Sequence, residues 1–258
     1  MAKIISQDLY DDEYFTHSGG AQAFFQGEVA PIYYQAASKV NLKDEDDITI
    51  LDIGCGRGDL IRILAPRFPK AKIIGIDYSD AAINIAKQNL ANYSNVSILR
   101  SDTASFPLEN NSVDYVFCLD VVEHLYPQHL DETIKSVYRV LKTGGTLIIH
   151  TFPTRCINNT AHFMLKLFNK DSSGQHLHVN TQTYSSMRNL LRDNSFRNIT
   201  INLEARGNLL QDNISTSSCL FKRIFILTDK LYSCSTAILK NSVLKRFMFS
   251  DIWAYAEK

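Results

Sequence analysis

Four apolar runs in this 258-residue chain each lead into an aspartate: Asp52, Asp77, Asp102 and Asp120. Directly after the first, in ILDIGCGRGDL, Gly54, Gly56 and Gly58 alternate with Cys55 and Arg57. Glycines at such a turn let the backbone lie close against a ligand, because no Cβ intervenes. Glu123 and His124 stand just past Asp120, and GQHLHV supplies His176 and His178. Carboxylates accept hydrogen bonds from ligand hydroxyls and amines, and a histidine titrates near neutral pH. Together they suit binding of a polar ligand and removal of a proton from a nucleophile.

The elements that must carry these residues follow from the punctuation. ITILDIG, AKIIGIDYS, NVSILRSD and VDYVFCLD read as short buried strands, and TLIIHTF after Gly144–Gly145 reads as a fifth. Between them, DLIRILAPRF places Leu60, Ile61, Ile63, Leu64 and Phe68 on one helical face. Ser79 can cap DAAINIAKQNL, and residues 128–141 have helical period. Strands alternating with helices at these intervals predict a parallel sheet covered on both faces. Right-handed crossovers then bring Asp52, Asp77, Asp102 and Asp120 to one rim, where ligands of open α/β sheets lie. A sixth strand is expected in FRNITINLEA and a last one in SDIWAYAEK. A helix is expected within Gly20–Val40, and KDEDD reads as a solvated link into the main domain.

Composition sets the bounds. The chain has 27 basic and 27 acidic residues, 45% hydrophobic and 21% charged, so no global field draws it to nucleic acid or membrane. Five scattered cysteines without a CxxC pair indicate neither a disulfide framework nor a zinc site, and reduced thiols in a cytoplasmic protein are expected. The N-terminal residues lack the apolar core of a signal peptide, and no uncharged apolar run is long enough to cross a bilayer.

The glycine spacing differs from the dinucleotide fingerprint, G-x-G-x-x-G. Asp59 occupies the position of its third glycine, where an acid would face a pyrophosphate at a helix N-terminus. A ligand of little negative charge fits better. At this point the chain resembles the class I S-adenosylmethionine-dependent methyltransferases. The resemblance rests on LDIGCGRGDL, the acid in IIGIDYS, the block SDTASFPLENNSVDYVFCLDVVEHL, and VLKTGGTLIIHT, and covers residues 48–155. It implies a Rossmann-like, doubly wound, mainly parallel sheet of seven strands with helices on both faces. The expected organisation is an N-terminal cap, 1–47, and a methyltransferase domain, 48–258, with a helical insertion at about 206–249.

The resemblance also implies roles. Asp52, Gly54, Cys55, Gly56 and Gly58 would bring backbone against the methionine and ribose of the cofactor. Asp77 would accept both ribose hydroxyls, Tyr78 would pack on the adenine, and Asp102 with Thr103 would read its amino group. Leu119 and Asp120 would lie beside the methionine moiety. Glu123 and His124, taken as the start of the next helix, and His178 are the candidates for proton removal. His178 either orients the acceptor or holds its loop to the rim, in a stretch where Thr183 or Thr181 caps a helix that buries Met187, Leu190 and Leu191. His150 reads as a core histidine with a satisfied hydrogen bond.

Asp120, Glu123 and His124 stand at i, i+3 and i+4, the spacing of one helical face. With His178 they are similar to the divalent-metal set of small-RNA 2′-O-methyltransferases and ubiquinone-pathway O-methyltransferases, which carry glutamate at the position of Asp120. Manganese or zinc would suit such a mixed set better than magnesium.

Acceptor choice should lie in what is added to the fold. YDDEYFTHSGGAQAFFQGEVAPIYY could close over the cofactor, with Tyr14, Phe15 and His17 in contact. The interval 206–249 is long for a strand connection and, from Ser218 to Ser250, carries a net +5 among aliphatic and aromatic residues. It is expected to wall a moderately apolar acceptor pocket or a homodimer interface, ahead of peripheral membrane contact. The reading is methyl transfer to an oxygen, with nitrogen second, of a small-molecule or natural-product acceptor. The alternatives are a metal-dependent RNA 2′-O-methyltransferase and a non-catalytic cofactor-binding subunit.

Overall fold

The structure, a computed structural model, describes residues 10–17, 25, 27–40, 47–152, 178–204 and 251–258. The expected insertion at 206–249 and His176 lie outside these residues, as does the side chain of His17.

Seven strands form one sheet. They are β1 (Thr49–Ile53), β2 (Lys72–Asp77), β3 (Val96–Arg100), β4 (Val113–Leu119), β5 (Leu141–Thr151), β6 (Arg197–Glu204) and β7 (Asp251–Glu257), in the order β3-β2-β1-β4-β5-β7-β6. The first five are parallel, and β7 runs antiparallel between β5 and β6. This is the doubly wound, mainly parallel seven-stranded sheet expected from the sequence. The order turns back between β1 and β4, so their carboxyl ends diverge into a crevice, the position where such sheets bind ligands.

Both faces are buried, as a parallel sheet requires. Leu51, Ile53, Val116, Leu147 and Ile149 point to one face, beneath α5 (Pro127–Val140) and α6 (Tyr184–Asp193), which contribute Ile134, Val137, Met187 and Leu191. Ile50, Ile73, Phe117, Ile148 and Trp253 point to the other, covered by α2 (Pro31–Ala37), α3 (Asp59–Arg67) and α4 (Asp80–Asn89). The alternation Ile50/Leu51 and Ile148/Ile149 is the pleat distributing neighbours to opposite layers.

Local signals explain the helix starts. Ser79 accepts the Ala82 N–H, capping α4. Thr183, of the two candidate caps, forms a reciprocal capping box with Ser186 at the start of α6. Before them comes α1 (Asp12–His17). Of the expected helix over 20–40, residues 20–24 and 26 lie outside the described residues; Phe25 is helical, Gly27 interrupts at φ +96°, and α2 begins at Pro31 after an extended Ala30. Proline at the first helical position lacks an N–H and forces its predecessor out of the helical region, so the start is fixed there. Ala36, Ala37 and Val40 then join the core with Leu60 and Leu64. The Gly144–Gly145 turn is also absorbed: β5 runs through it, with Gly144 at φ +80° and a register shift against β4. Among the described residues no helix is long and apolar enough to cross a membrane.

Gly58 ends the β1 turn at φ +88°, and a Cβ there would stand 2.6 Å from Leu90 Cδ1. Gly144, at φ +80°, has nothing within 4 Å of the same position. Gly58→Ala should therefore cost about 2–5 kcal/mol, backbone strain plus overpacking, and Gly144→Ala the strain alone, about 1–2 kcal/mol. Urea denaturation of both variants checks this, and equal losses would dismiss the Leu90 contact.

Candidate active site

Above the crevice between β1 and β4 lies a cavity of about 280 Å³. All the positions expected to meet the cofactor line it except Gly58, which packs beneath the turn on Leu90. The turn is pinned from below, since Gly54 and Cys55 both donate their N–H to Ile76 O, at 2.8 and 3.0 Å. A Cβ on Gly54 would stand 2.4 Å from Val121 Cγ2, so the close approach of the β1 and β4 turns demands glycine. The Cys55 thiol packs into the core among Ile61, Ile98 and Gly75, and burial holds its pKa well above the usual range. It offers the cavity no reactive thiolate.

Asp77 closes β2 and is buried. Its two oxygens accept the Gly56 N–H (3.0 Å) and the Ser79 N–H (2.9 Å). Burial raises its pKa, and these backbone bonds pull against that. Asp52, deeper in β1, is pushed well above the carboxylate range by burial and by Asp59 and Asp77. Asp59 does not stand as the bare acid that the glycine spacing suggested. Arg57 lies 3.2 Å from it and also donates to Phe15 O at 3.1 Å. The guanidinium offsets the charge at the start of α3, so Asp59 alone is a weaker bar to a phosphate than the sequence implied.

At the β3 end, His129 Nε2 lies 3.1 Å from both Asp102 Oδ1 and Thr103 Oγ1, and Thr103 also meets Thr133 Oγ1 at 3.0 Å. His129, which lines the cavity from α5, was not singled out in the sequence; its i, i+4 spacing with Thr133 was the available signal.

The β4 end differs from the expectation of one helical face. Asp120 is left-handed, φ +55°, and Val122–His124 make a single 3₁₀ turn that ends before α5. Aspartate tolerates that conformation, and such backbone gathers at functional sites. Glu123, His124 and His178 come together, with ligand atoms all within 4.8 Å of one another. Asp120 is outside that group. Its Oδ1 lies 2.6 Å from His150 Nδ1, while His150 Nε2 lies 3.4 Å from Asp251 Oδ2. An imidazole facing carboxylates on both nitrogens is best satisfied as imidazolium. Burial opposes that charge, but Asp120 and Asp251 outweigh it and raise the pKa to about 9. The sequence reading of His150 as a core histidine with a satisfied bond holds, although its partner reaches the cavity.

The next residue does the corresponding service on the other face, where Thr151 donates to Glu123 Oε2 at 2.8 Å. Glu123 is 2% exposed, and burial followed by the charge of Asp120 raises it to about 8. His178, lowered by burial, sits with its ring 5.2 Å from that of His124. Over this end fold Tyr10, Tyr14 and Phe15, which line the cavity as the sequence predicted for the last two. Tyr10 meets Tyr14, Tyr78 and His124 edge-on at 4.9, 5.6 and 5.8 Å.

Residues 50–145, the stretch carrying every one of these turns up to the start of β5, match the family model described as methyltransferase domain. That stretch is a methyltransferase domain of the S-adenosylmethionine-dependent class. Over 136 residues it is 32% identical to the malonyl-[acyl-carrier protein] O-methyltransferase of Priestia megaterium, covering 50% of this chain and 48% of that protein. Over 99 residues it is 33% identical to a demethylmenaquinone methyltransferase of Staphylococcus aureus, covering 38% and 40%. The chain thus spans about half or less of the curated relatives it matches. Among solved structures, phosphoethanolamine N-methyltransferase 2 of Haemonchus contortus, in complex with S-adenosyl-L-methionine, shares the fold with a TM-score of 0.63. That likeness has 17% identity and covers 99% of this chain and 60% of the other.

The methyltransferase domain has a titration signature at its β4 turn. Glu123 has a folded pKa of about 8 against an ordinary 4.5, so the folded state holds a proton that the unfolded state releases between those values. Stability should fall as pH rises through that window, by at most about 1.4 kcal/mol per pH unit from this group. Glu123→Gln should remove the slope between about pH 5 and 6.5 and lessen it from there to 8, leaving the loss from His150, whose pKa is raised from 6.5 to about 9 and which therefore acts across that window. Urea midpoints across pH test this; an unchanged slope would show that Glu123 is ionised throughout.

Proposed function

We propose that this chain is a methyltransferase that moves the methyl group of S-adenosylmethionine to an oxygen, or second a nitrogen, of a small-molecule acceptor. The observation that carries the proposal is the convergence of the β1, β2, β3 and β4 turns, with Asp77, Asp102 and Asp120, on one cavity. The donor set fits the cofactor. Asp77 offers a fixed carboxylate to vicinal hydroxyls, the Gly54–Gly56 turn leaves room for backbone approach, and Asp102 and Thr103 offer a polar edge to an amino-substituted base. The excess of acids over the Arg57 guanidinium suits a cationic ligand. Asp120, held by His150, lies at the methionine end, and Tyr78 supplies an aromatic face.

When bound, the cofactor supplies a methyl group on a sulfonium, already activated toward a nucleophile. The chain's task is then to hold the acceptor and remove its proton. Positioning can contribute about 7–11 kcal/mol in favourable intramolecular cases, and a general base about 10²–10⁴-fold. His124 lines the cavity and takes the proton. Glu123, behind it and fixed by Thr151, keeps its own proton below about pH 8 and so frames the imidazole as a neutral neighbour, while His178 orients the acceptor. Tyr10, Tyr14 and Phe15 exclude water from above, and this aromatic wall favours a moderately apolar acceptor.

Calorimetric titration with S-adenosylhomocysteine, with NAD as the parallel ligand, tests the proposal. Micromolar binding of the former alone is expected, and Asp77→Ala should weaken it at least a hundredfold. Preference for NAD would overturn the cofactor assignment. His124→Ala should lower turnover by about 10²–10⁴-fold with little change in cofactor affinity; full turnover would remove it as base.

A second reading is favoured by one observation, the grouping of Glu123, His124 and His178. One carboxylate and two imidazoles suit manganese or zinc, which would polarise the acceptor in place of a histidine base. Turnover of the chelator-treated protein with and without added manganese separates the two readings, and undiminished activity without metal leaves the acid–base role.

A further inference from the structure

Tyr10 is the one described side chain on the cavity that is deeply buried and yet has a hydroxyl with no hydrogen-bond partner. The residue is 8% exposed, lines the cavity, and its Oη is unpaired. A buried hydroxyl left unsatisfied costs about 1–3 kcal/mol, so in native proteins such groups point to a missing partner. The rest of Tyr10 is fully engaged. Its carbonyl accepts the Ser79 hydroxyl at 2.7 Å, two residues past Asp77. Its ring meets those of Tyr78 and His124 edge-on, at 5.6 and 5.8 Å. Ser79, by capping α4 and binding Tyr10 O together, ties this residue to the turn that carries Asp77.

We propose that Tyr10 is a ligand-contact residue whose hydroxyl donates to an oxygen on the nucleoside half of the bound cofactor, fastening the N-terminal segment over the site. The proposal rests on the reading of the cavity as a cofactor site, and it adds a contact from outside the matched domain. The placement follows from the neighbours: Tyr10 is bonded to Ser79 and packed on Tyr78, both next to Asp77, whereas the methionine end lies toward Asp120. The carboxylates around it, Asp77 and Glu123, are acceptors already bonded to Gly56, Ser79 and Thr151, so the phenol remains an unused donor. Phe15 O, accepting from Arg57, holds the same segment at its far end. The ligand would thus complete the set of bonds that keeps residues 10–17 in place, and cofactor binding and cap order become coupled.

The test uses the full chain and its Tyr10→Phe variant, titrated with S-adenosylhomocysteine and with 5′-methylthioadenosine, which lacks the amino-acid end. The variant should melt at or slightly above the wild-type temperature, because it loses only an unsatisfied group. It should bind both ligands about 3–15-fold more weakly. Amide exchange of residues 10–17 should slow on ligand addition in the wild type and slow less in the variant. Equal affinity of the two proteins overturns the contact, and a lower melting temperature without ligand overturns the claim that the hydroxyl is unpaired. A loss with S-adenosylhomocysteine but not with methylthioadenosine overturns the nucleoside placement. If the wild type binds neither ligand, the cofactor reading itself fails, a result distinct from all of these.

Discussion

One buried carboxylate holds two turns of this protein in register with each other. Asp77 closes β2, and its oxygens reach the backbone of the glycine turn after β1 and of the cap before α4. Burial makes the charge costly, and the two amide donors offset part of that cost. Each turn is therefore fixed relative to the other by a bond stronger than van der Waals packing would provide. The N-terminal residues depend on the same point, because Ser79, the second donor, carries the carbonyl of Tyr10. A group able to accept ligand hydroxyls is thus itself part of the frame, which keeps the site formed around it.

The second anchor lies across the crevice at the end of β5. His150 and Thr151 are adjacent, so the pleat sends them to opposite faces of the sheet. One holds Asp120, which borders the cavity, and the other holds Glu123, which stands behind His124. The residues nearest the proposed chemistry are therefore not set by the short turn that carries them. A single 3₁₀ turn has few internal bonds, and its geometry is supplied by the neighbouring strand.

What the sequence made legible divides along the same line. The strands and the rim acids were readable because a doubly covered parallel sheet leaves uninterrupted apolar runs, and Asp52, Asp77, Asp102 and Asp120 punctuate them. The glycine turn was readable because Gly54 and Gly58 sit where a Cβ would collide with Val121 and Leu90. Regular spacing failed where long-range bonds decide the conformation. Asp120, Glu123 and His124 look helical by interval, yet His150 pulls Asp120 away from the other two. Asp59 looked like an isolated acid, although Arg57 lies beside it, and Tyr10 carried no local signal, since its contacts are with Ser79 and Tyr78, far along the chain.

The arrangement at the end of β5 has a bearing on which length changes this chain can absorb. A one-residue insertion between Gly145 and His150 would turn the strand over, presenting each of His150 and Thr151 to the layer the other now serves. Both acids would lose their partners in one step, although every residue type remained in place and the apolar content of the strand was unchanged. The irregularity near Gly144 lies upstream of that stretch, where β5 already departs from strict pairing with β4. Extra residues there can be accommodated as further bulge without being passed on to the site. The strand therefore has a tolerant beginning and a phase-locked end, and insertions drawn from relatives would be expected to survive in the first and be lost from the second.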